Sequence, residues 1–350
     1  SVPFFANKVW VYKAIAYAAF WFDIFSGWLL LKNHVSRSFA DLSAVLVVSW
    51  ACISNYHNLL ISYAFCHQLP IAFLLLSLNA FGHYLKNNTR KALIRSAVYL
   101  LLACMIYEAF VAAILLFAVW AMVYEGKRKQ KSYFSFLRNA SRRILLHLSL
   151  LSGYLMVYYG WRILYPTQYD GVTVSLKEPF MSLTTALFYG ISFFPLTAIM
   201  DYAKTNTIGM NVVWHALQLP AWIVSGLTAA VFCVLLPKIR IRKEKMALLS
   251  VLCFIGIFVP VLVISLSEKY PEWVRIRAIG YLPSYYSYFF LVPFLLTVMV
   301  RLYHAFSDRY NQKTVHGILT VCVFCITLTA NVVTALWRPF FDVLSLRYRN

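Results

Sequence analysis

Charge is what this chain has least of. Only 13% of its 350 residues are Asp, Glu, Lys or Arg, about half the share with which a soluble globular domain covers its surface. Acids are scarcer still, with 12 Asp and Glu against 32 Lys and Arg. Glycine and proline number 12 each, too few for a collagen-like or low-complexity chain. A hydrophobic share of 61% excludes intrinsic disorder. No His-Glu-x-x-His, Gly-x-Ser-x-Gly or Walker-type Gly-rich loop occurs, so the zinc-peptidase, hydrolase and nucleotide signatures are missing.

The seven cysteines (Cys52, Cys66, Cys104, Cys233, Cys253, Cys322, Cys325) all fall in apolar stretches. There they act as small hydrophobes rather than as a disulfide framework. Cys322 and Cys325 have the spacing of a redox or zinc pair. No second ligand pair accompanies them, and their apolar setting favours a packing role.

What the chain does have is long apolar runs separated by basic clusters. A net charge of +20 on a soluble protein would suggest nucleic acid. Here the basic residues sit between spans, as cytoplasmic loops require under the positive-inside rule, and no nucleic-acid partner is expected. A spanning helix needs about 20 mostly apolar residues, which the segments 10–31, 39–57, 59–85, 144–164, 211–236, 246–266, 283–303 and 317–337 supply.

Charge parity settles two further runs. The loops 86–95, 125–143 and 238–245 are all basic and belong on one side. Residues 92–124 begin and end on that side, so they fold into two short helices, near 96–107 and 109–124, turning at Tyr107-Glu108. The same parity keeps 180–200 from crossing and places it along, or dipping into, the outer interface. The expected fold is an all-α polytopic transmembrane bundle of about ten crossings, one integral membrane domain over 1–350 with an outer interfacial segment at 165–210. Both termini fall outside. A first helix and outer loop are expected upstream of Ser1, and no internal repeat of the kind found in many transporters is visible.

Ionisable groups inside apolar spans are functional candidates by default. Glu108, at the tip of the hairpin, leads as a catalytic carboxylate, its other reading being a turn carboxylate paired with an Arg or Tyr. Asp23 sits mid-span and serves either catalysis or an interhelical hydrogen bond. His57, His67 and His147 read as polar links between helices. Outside the membrane, Asp170 in Tyr165-Pro166-Thr167-Gln168-Tyr169-Asp170-Gly171 is a candidate acceptor for sugar hydroxyls. Arg275 and Arg277 are candidate ligands for a lipid phosphate, since the guanidinium fork matches phosphate oxygens. They lead into Tyr281-Leu282-Pro283-Ser284-Tyr285-Tyr286-Ser287-Tyr288, where Tyr285 and Tyr286 either line a substrate site or belong to an interfacial aromatic belt.

The stretch Asn55-Tyr56-His57-Asn58 through Leu69-Pro70, the basic turn after it and the Tyr107-Glu108 hairpin resemble the membrane core of GT-C type glycosyltransferases. The resemblance spans roughly residues 10–300 as topology. It implies transfer of a sugar from a polyprenyl-phosphate carrier to a glycan, lipid or protein acceptor at the outer face of a bacterial cytoplasmic membrane. In that family the catalytic acid lies in the first outer loop, which here would precede Ser1. The implied chemistry is direct displacement at the anomeric carbon, a carboxylate activating the acceptor hydroxyl while Arg and a divalent metal stabilise the leaving phosphate. On these grounds His57, Tyr285 and Tyr286 join Asp170, Arg275 and Arg277 as substrate-binding candidates. A surface-polysaccharide polymerase or ligase is the enzymatic alternative, and a transporter or flippase of lipid-linked substrates the non-enzymatic one.

Overall fold

The computed structural model describes residues 9–52, 67–128, 132–166, 178–205, 217–275, 282–307 and 310–347. These are almost entirely helical and contain no strand. The helices are α1 (Val9–His34), α2 (Arg37–Trp50), α3 (Leu69–Asn87), α4 (Arg90–Ile106), a 3₁₀ turn (Glu108–Ala113) leading into α5 (Ile114–Gly126), and α6 (Tyr133–Leu164). They continue as α7 (Pro179–Ile191), α8 (Pro195–Thr205), α9 (Leu219–Leu235), α10 (Lys243–Ser265), α11 (Lys269–Arg275), α12 (Leu282–Ser307) and α13 (Gln312–Arg347). Among the described residues, eight stretches are long and apolar enough to cross a bilayer, which makes the chain an integral membrane protein. The shorter α2 and α4, of 14 and 17 residues, run beside them.

Polar contacts show which loops share an end. Arg143 of α6 bonds Glu125 at the close of α5 (3.1 Å) and Asn88 between α3 and α4 (2.7 Å). Lys127 reaches Glu244 at the start of α10 (3.0 Å), and His304 of α12 approaches the Ile239 carbonyl (3.3 Å). His34, closing α1, contacts the Asn79 carbonyl and the Trp120 ring. The basic segments therefore converge on one end of the bundle. Because Asn88 and Glu125 meet at Arg143, the intervening chain must run out and return. It does so at Tyr107, whose extended backbone (φ −147°, ψ 105°) ends α4 and starts the 3₁₀ turn at Glu108. The hairpin expected from charge parity is present, at the expected residue.

Local chemistry explains the ends of several elements. Ser36 caps α2 by accepting the Phe39 N–H at 3.3 Å. Asn88 adopts the left-handed conformation (φ 53°) that closes α3, its N–H bonding the Tyr84 carbonyl, a role Asn tolerates better than most residues. Pro70 falls in the first turn of α3, where its missing N–H costs nothing. Pro260 and Pro293 lie within α10 and α12. Around Pro260 the Ser287 hydroxyl of α12 donates to the Ile257 carbonyl (2.6 Å), satisfying a backbone group in the disturbed turn. Gly256 lets α12 approach, since a Cβ there would clash with the Phe290 ring.

Several boundaries differ from the expected spans. α2 stops at Trp50 rather than running to 57, and α3 begins at Leu69. α6 starts at Tyr133, so Arg138, Arg142 and Arg143 ride on a helix that continues past the apolar core rather than lying in a loop. At about 1.5 Å per residue it is roughly 48 Å long, well beyond a 30 Å hydrocarbon core. The 180–200 region dips into the bundle. α7 packs on α10 and α12, and the turn Ser192–Phe194 carries Phe193 against Tyr285 and Tyr288 (ring centroids 5.7 and 4.9 Å). Pro195 starts α8 anew beyond that turn.

Candidate functional site

The end opposite the basic loops is built differently. At the start of α12, consecutive tyrosines diverge. Tyr285 points to α1 and donates its hydroxyl to Asp23 at 2.5 Å. Tyr286 points to the hairpin, donating to the His67 carbonyl at 2.6 Å while its ring lies against Tyr107 (5.4 Å) and Phe110 (4.9 Å). These two aromatics flank Glu108, so one side chain braces both sides of the hairpin tip. Glu108 itself is exposed and forms no ion pair among the described residues.

Asp23 is enclosed completely. Its carboxyl receives the Tyr285 hydroxyl and faces the backbone N–H of Ala72, near the start of α3. The other carboxyl oxygen, Oδ1, has no hydrogen-bond partner among the described residues. Asp23 thus ties α1, α3 and α12 together through a contact 262 residues apart in sequence.

His67, just ahead of α3, lies within electrostatic reach of Glu108. Burial pushes its imidazole below the usual histidine value, and the neighbouring carboxylate offsets part of that shift. On the other flank of Glu108 stands α6. Tyr154 bonds the Cys104 carbonyl (2.8 Å), anchoring α6 to the rising arm of the hairpin, and it too is within electrostatic reach of Glu108. Tyr158 stacks on Tyr154, with centroids 6.0 Å apart and planes at 26°. Arg162 donates to the Tyr158 hydroxyl through Nε (3.2 Å) and one terminal nitrogen (2.9 Å).

The structure therefore brings Glu108, Tyr286, Tyr285 and Asp23 into one region. Arg275 closes α11, and its side chain lies outside the described residues, as do Arg277, His57 and Asp170. His67, Tyr154, Tyr158 and Arg162 are the additions. The last three recur every four residues, one face of a helix, and that spacing was the signal available in the sequence. His147 links helices as expected, contacting Ser96 at 2.8 Å. No group of three or more His, Cys, Asp or Glu is placed to hold a metal among the described residues.

Compared with protein-family models, curated proteins and solved structures, the chain has no significant match to any.

Proposed function

We propose that this protein is a membrane glycosyltransferase that moves a sugar from a polyprenyl-phosphate carrier to a glycan, lipid or protein acceptor at the outer face of a bacterial cytoplasmic membrane. The observation that carries the reading is Glu108. It is an exposed carboxylate at the tip of a membrane hairpin, beside an imidazole and a tyrosine wall, at the end of the bundle away from the basic loops. An ionisable group within an apolar run that forms no ion pair among the described residues is a functional candidate.

In this mechanism Glu108 takes the proton from the acceptor hydroxyl as that oxygen attacks the anomeric carbon. The bond from that carbon to the phosphate oxygen breaks, and the electron pair leaves with the carrier phosphate. General-base assistance of this kind contributes about 10²–10⁴-fold. Tyr286 holds the hairpin tip against His67, which fixes the approach to Glu108. Asp23 touches no ligand when enclosed as it is, and acts through Tyr285 as a positioning residue.

Reconstituted protein incubated with a labelled polyprenyl-phospho-sugar and an acceptor should transfer one labelled sugar per acceptor. Elongation of lipid-linked repeats would instead indicate a polymerase. Movement of the donor between leaflets with no new glycosidic bond would indicate a flippase. Either result would overturn the assignment.

A further inference from the structure

The guanidinium of Arg162 is held in place without a counter-charge. Two of its N–H groups converge on one phenolic oxygen, that of Tyr158, and its carbon lies 5.3 Å from the centroid of the same ring. That leaves three of five donors facing away from the tyrosine. The ion pairs among the described residues are Arg37–Asp41, Lys127–Glu244 and Arg143–Glu125, all at the basic end. Arg162 has no carboxylate within ion-pair distance among those residues. Forming an ordered fork costs side-chain entropy, and a guanidinium already aligned by two bonds to Tyr158 has met part of that cost before any ligand arrives.

Its height relative to Glu108 follows from helix geometry. Side chains on a helix lean toward the N-terminus, so the Arg162 guanidinium sits level with Tyr158 rather than with its own Cα, as the 2.9 Å contact requires. Tyr158 stacks 6.0 Å from Tyr154, and Tyr154 stands within electrostatic reach of Glu108. Acid and cation therefore lie toward the same row of tyrosines, Tyr154 on the side of Glu108 and Tyr158 carrying the cation. Sugar rings commonly lie flat on aromatic faces such as those of Tyr154 and Tyr158. Trp161 and Tyr165 pack with ring centroids 4.3 Å apart on the exposed side of the same helix end, with the interfacial placement expected of aromatic residues where headgroups lie.

From this arrangement we infer that Arg162, aligned by Tyr158, is the ligand for the phosphate of a polyprenyl-phosphate lipid, with the attached sugar lying along Tyr154 toward Glu108. This rests on the transferase reading for the sugar but not for the phosphate. A planar fork matches two phosphate oxygens at once, whereas an ammonium supplies only a point charge.

The test is direct binding of polyprenyl phosphate to the full chain in nanodiscs of zwitterionic lipid, with inorganic phosphate and phosphatidylglycerol as separate competitors. Arg162→Ala should weaken binding about tenfold or more, the loss of one or two charge-assisted hydrogen bonds. Arg162→Lys should recover only part of it, and Tyr158→Phe should weaken binding a few-fold by releasing the fork. Thermal melts of each variant should match wild type, because the hydrogen bonds of the Arg162 side chain go to Tyr158 on its own helix. Unchanged affinity in a folded Arg162→Ala protein would overturn the inference. So would equal competition by phosphatidylglycerol, which would make this a general anionic-lipid contact, or equal competition by inorganic phosphate, which would remove the lipid from recognition. Arg162-dependent binding without sugar transfer would sink the transferase reading and leave this site standing. Transfer by Arg162→Ala with an unaltered KM for donor would do the reverse.

Discussion

The two ends of the bundle use their few charges in opposite ways. At the basic end charge is spent on structure: Arg143 is clasped by Glu125, Asn88 and the Tyr84 hydroxyl, with the carboxylate side chain only 2% exposed. Lys127 meets Glu244, and Arg37 meets Asp41. At the far end Glu108 and Arg162 stand without ion pairs among the described residues, and neutral hydroxyls supply the packing bonds, Tyr285 to Asp23, Tyr286 to His67, Tyr288 to Val47. The difference separates charge that holds helices together from charge left available to something else.

Two carboxamide substitutions break this comparison most sharply. Glu125→Gln leaves Arg143 largely buried with its principal counter-charge gone, and loss of one partner of a buried pair costs about 3–5 kcal/mol. Its melting temperature in detergent should fall markedly, while whatever remains folded should transfer sugar normally. Glu108→Gln should do the opposite. Transfer should drop about 100-fold or more with no loss of thermal stability, since the side chain is exposed. Stability loss in Glu108→Gln with activity retained would make the two ends alike.

Tyr285→Phe probes the border between the two regimes, because Asp23 is buried like Glu125 yet lies beside the candidate site. Removing the hydroxyl leaves the enclosed carboxyl with the Ala72 N–H alone, and an unsatisfied buried polar group costs about 1–3 kcal/mol. Combining it with Asp23→Leu should recover part of that loss in thermal melts, as the removal of both partners leaves no orphan. Non-recovery would show that the carboxyl has a further partner and a role beyond bridging helices.

Much of this division was legible in the sequence, because each cue acts over a whole segment. Apolar run length identified the spans, and like-charged loops required 92–124 to fold back, since lysine and arginine are costly to move across a bilayer. Tyr107-Glu108 as the turning point followed from the only acidic residue in that run. The far end was less legible because its contacts join residues remote in sequence. Tyr286 and His67 are 219 positions apart, and Ser192 and Ser284 are 92 apart. No periodicity encodes such pairings. The depth of the Ser192–Phe194 turn was hidden likewise, as apolar content favours both lying on a bilayer and inserting into a bundle. Arg162 is an intermediate case. Its four-residue spacing from Tyr158 and Tyr154 was visible, but the tie to Glu108 needs the Cys104 contact that docks α6 on the hairpin.

A smaller effect sharpens the electrostatics around Glu108. His67 titrates below its ordinary value because burial disfavours the imidazolium. The folded state therefore binds fewer protons than the unfolded chain as pH falls through the ordinary histidine value of 6.5. Stability should decline with falling pH in that window and level off below the folded value. The wild-type melting temperature should drop more between pH 7.5 and pH 5.5 (a window of roughly one unit either side of the reference value) than that of His67→Gln. Other titrating groups act equally in both proteins, so the difference reports His67. In a Glu108→Gln background the difference should widen, because the carboxylate that partly favours the imidazolium has gone. An unchanged difference would place Glu108 out of electrostatic contact with His67 and weaken its position at the centre of the site.

The smallest effect belongs to Lys127→Ala. Its partner Glu244 belongs to an exposed pair, 46% and 76% open to solvent, and surface pairs of this kind contribute little because water and salt screen them. A melt indistinguishable from wild type is expected, even though the 3.0 Å contact is shorter than either bond joining Arg143 to Glu125 and Tyr84. Burial, rather than distance or sign, is then what makes a charge at the basic end structural. A clear loss of stability in Lys127→Ala would mean that the loops carrying Lys127 and Glu244 are locked by charge alone. In that case the availability of Glu108 and Arg162 could not be read from exposure, and the contrast between the two ends would have to rest on activity measurements instead.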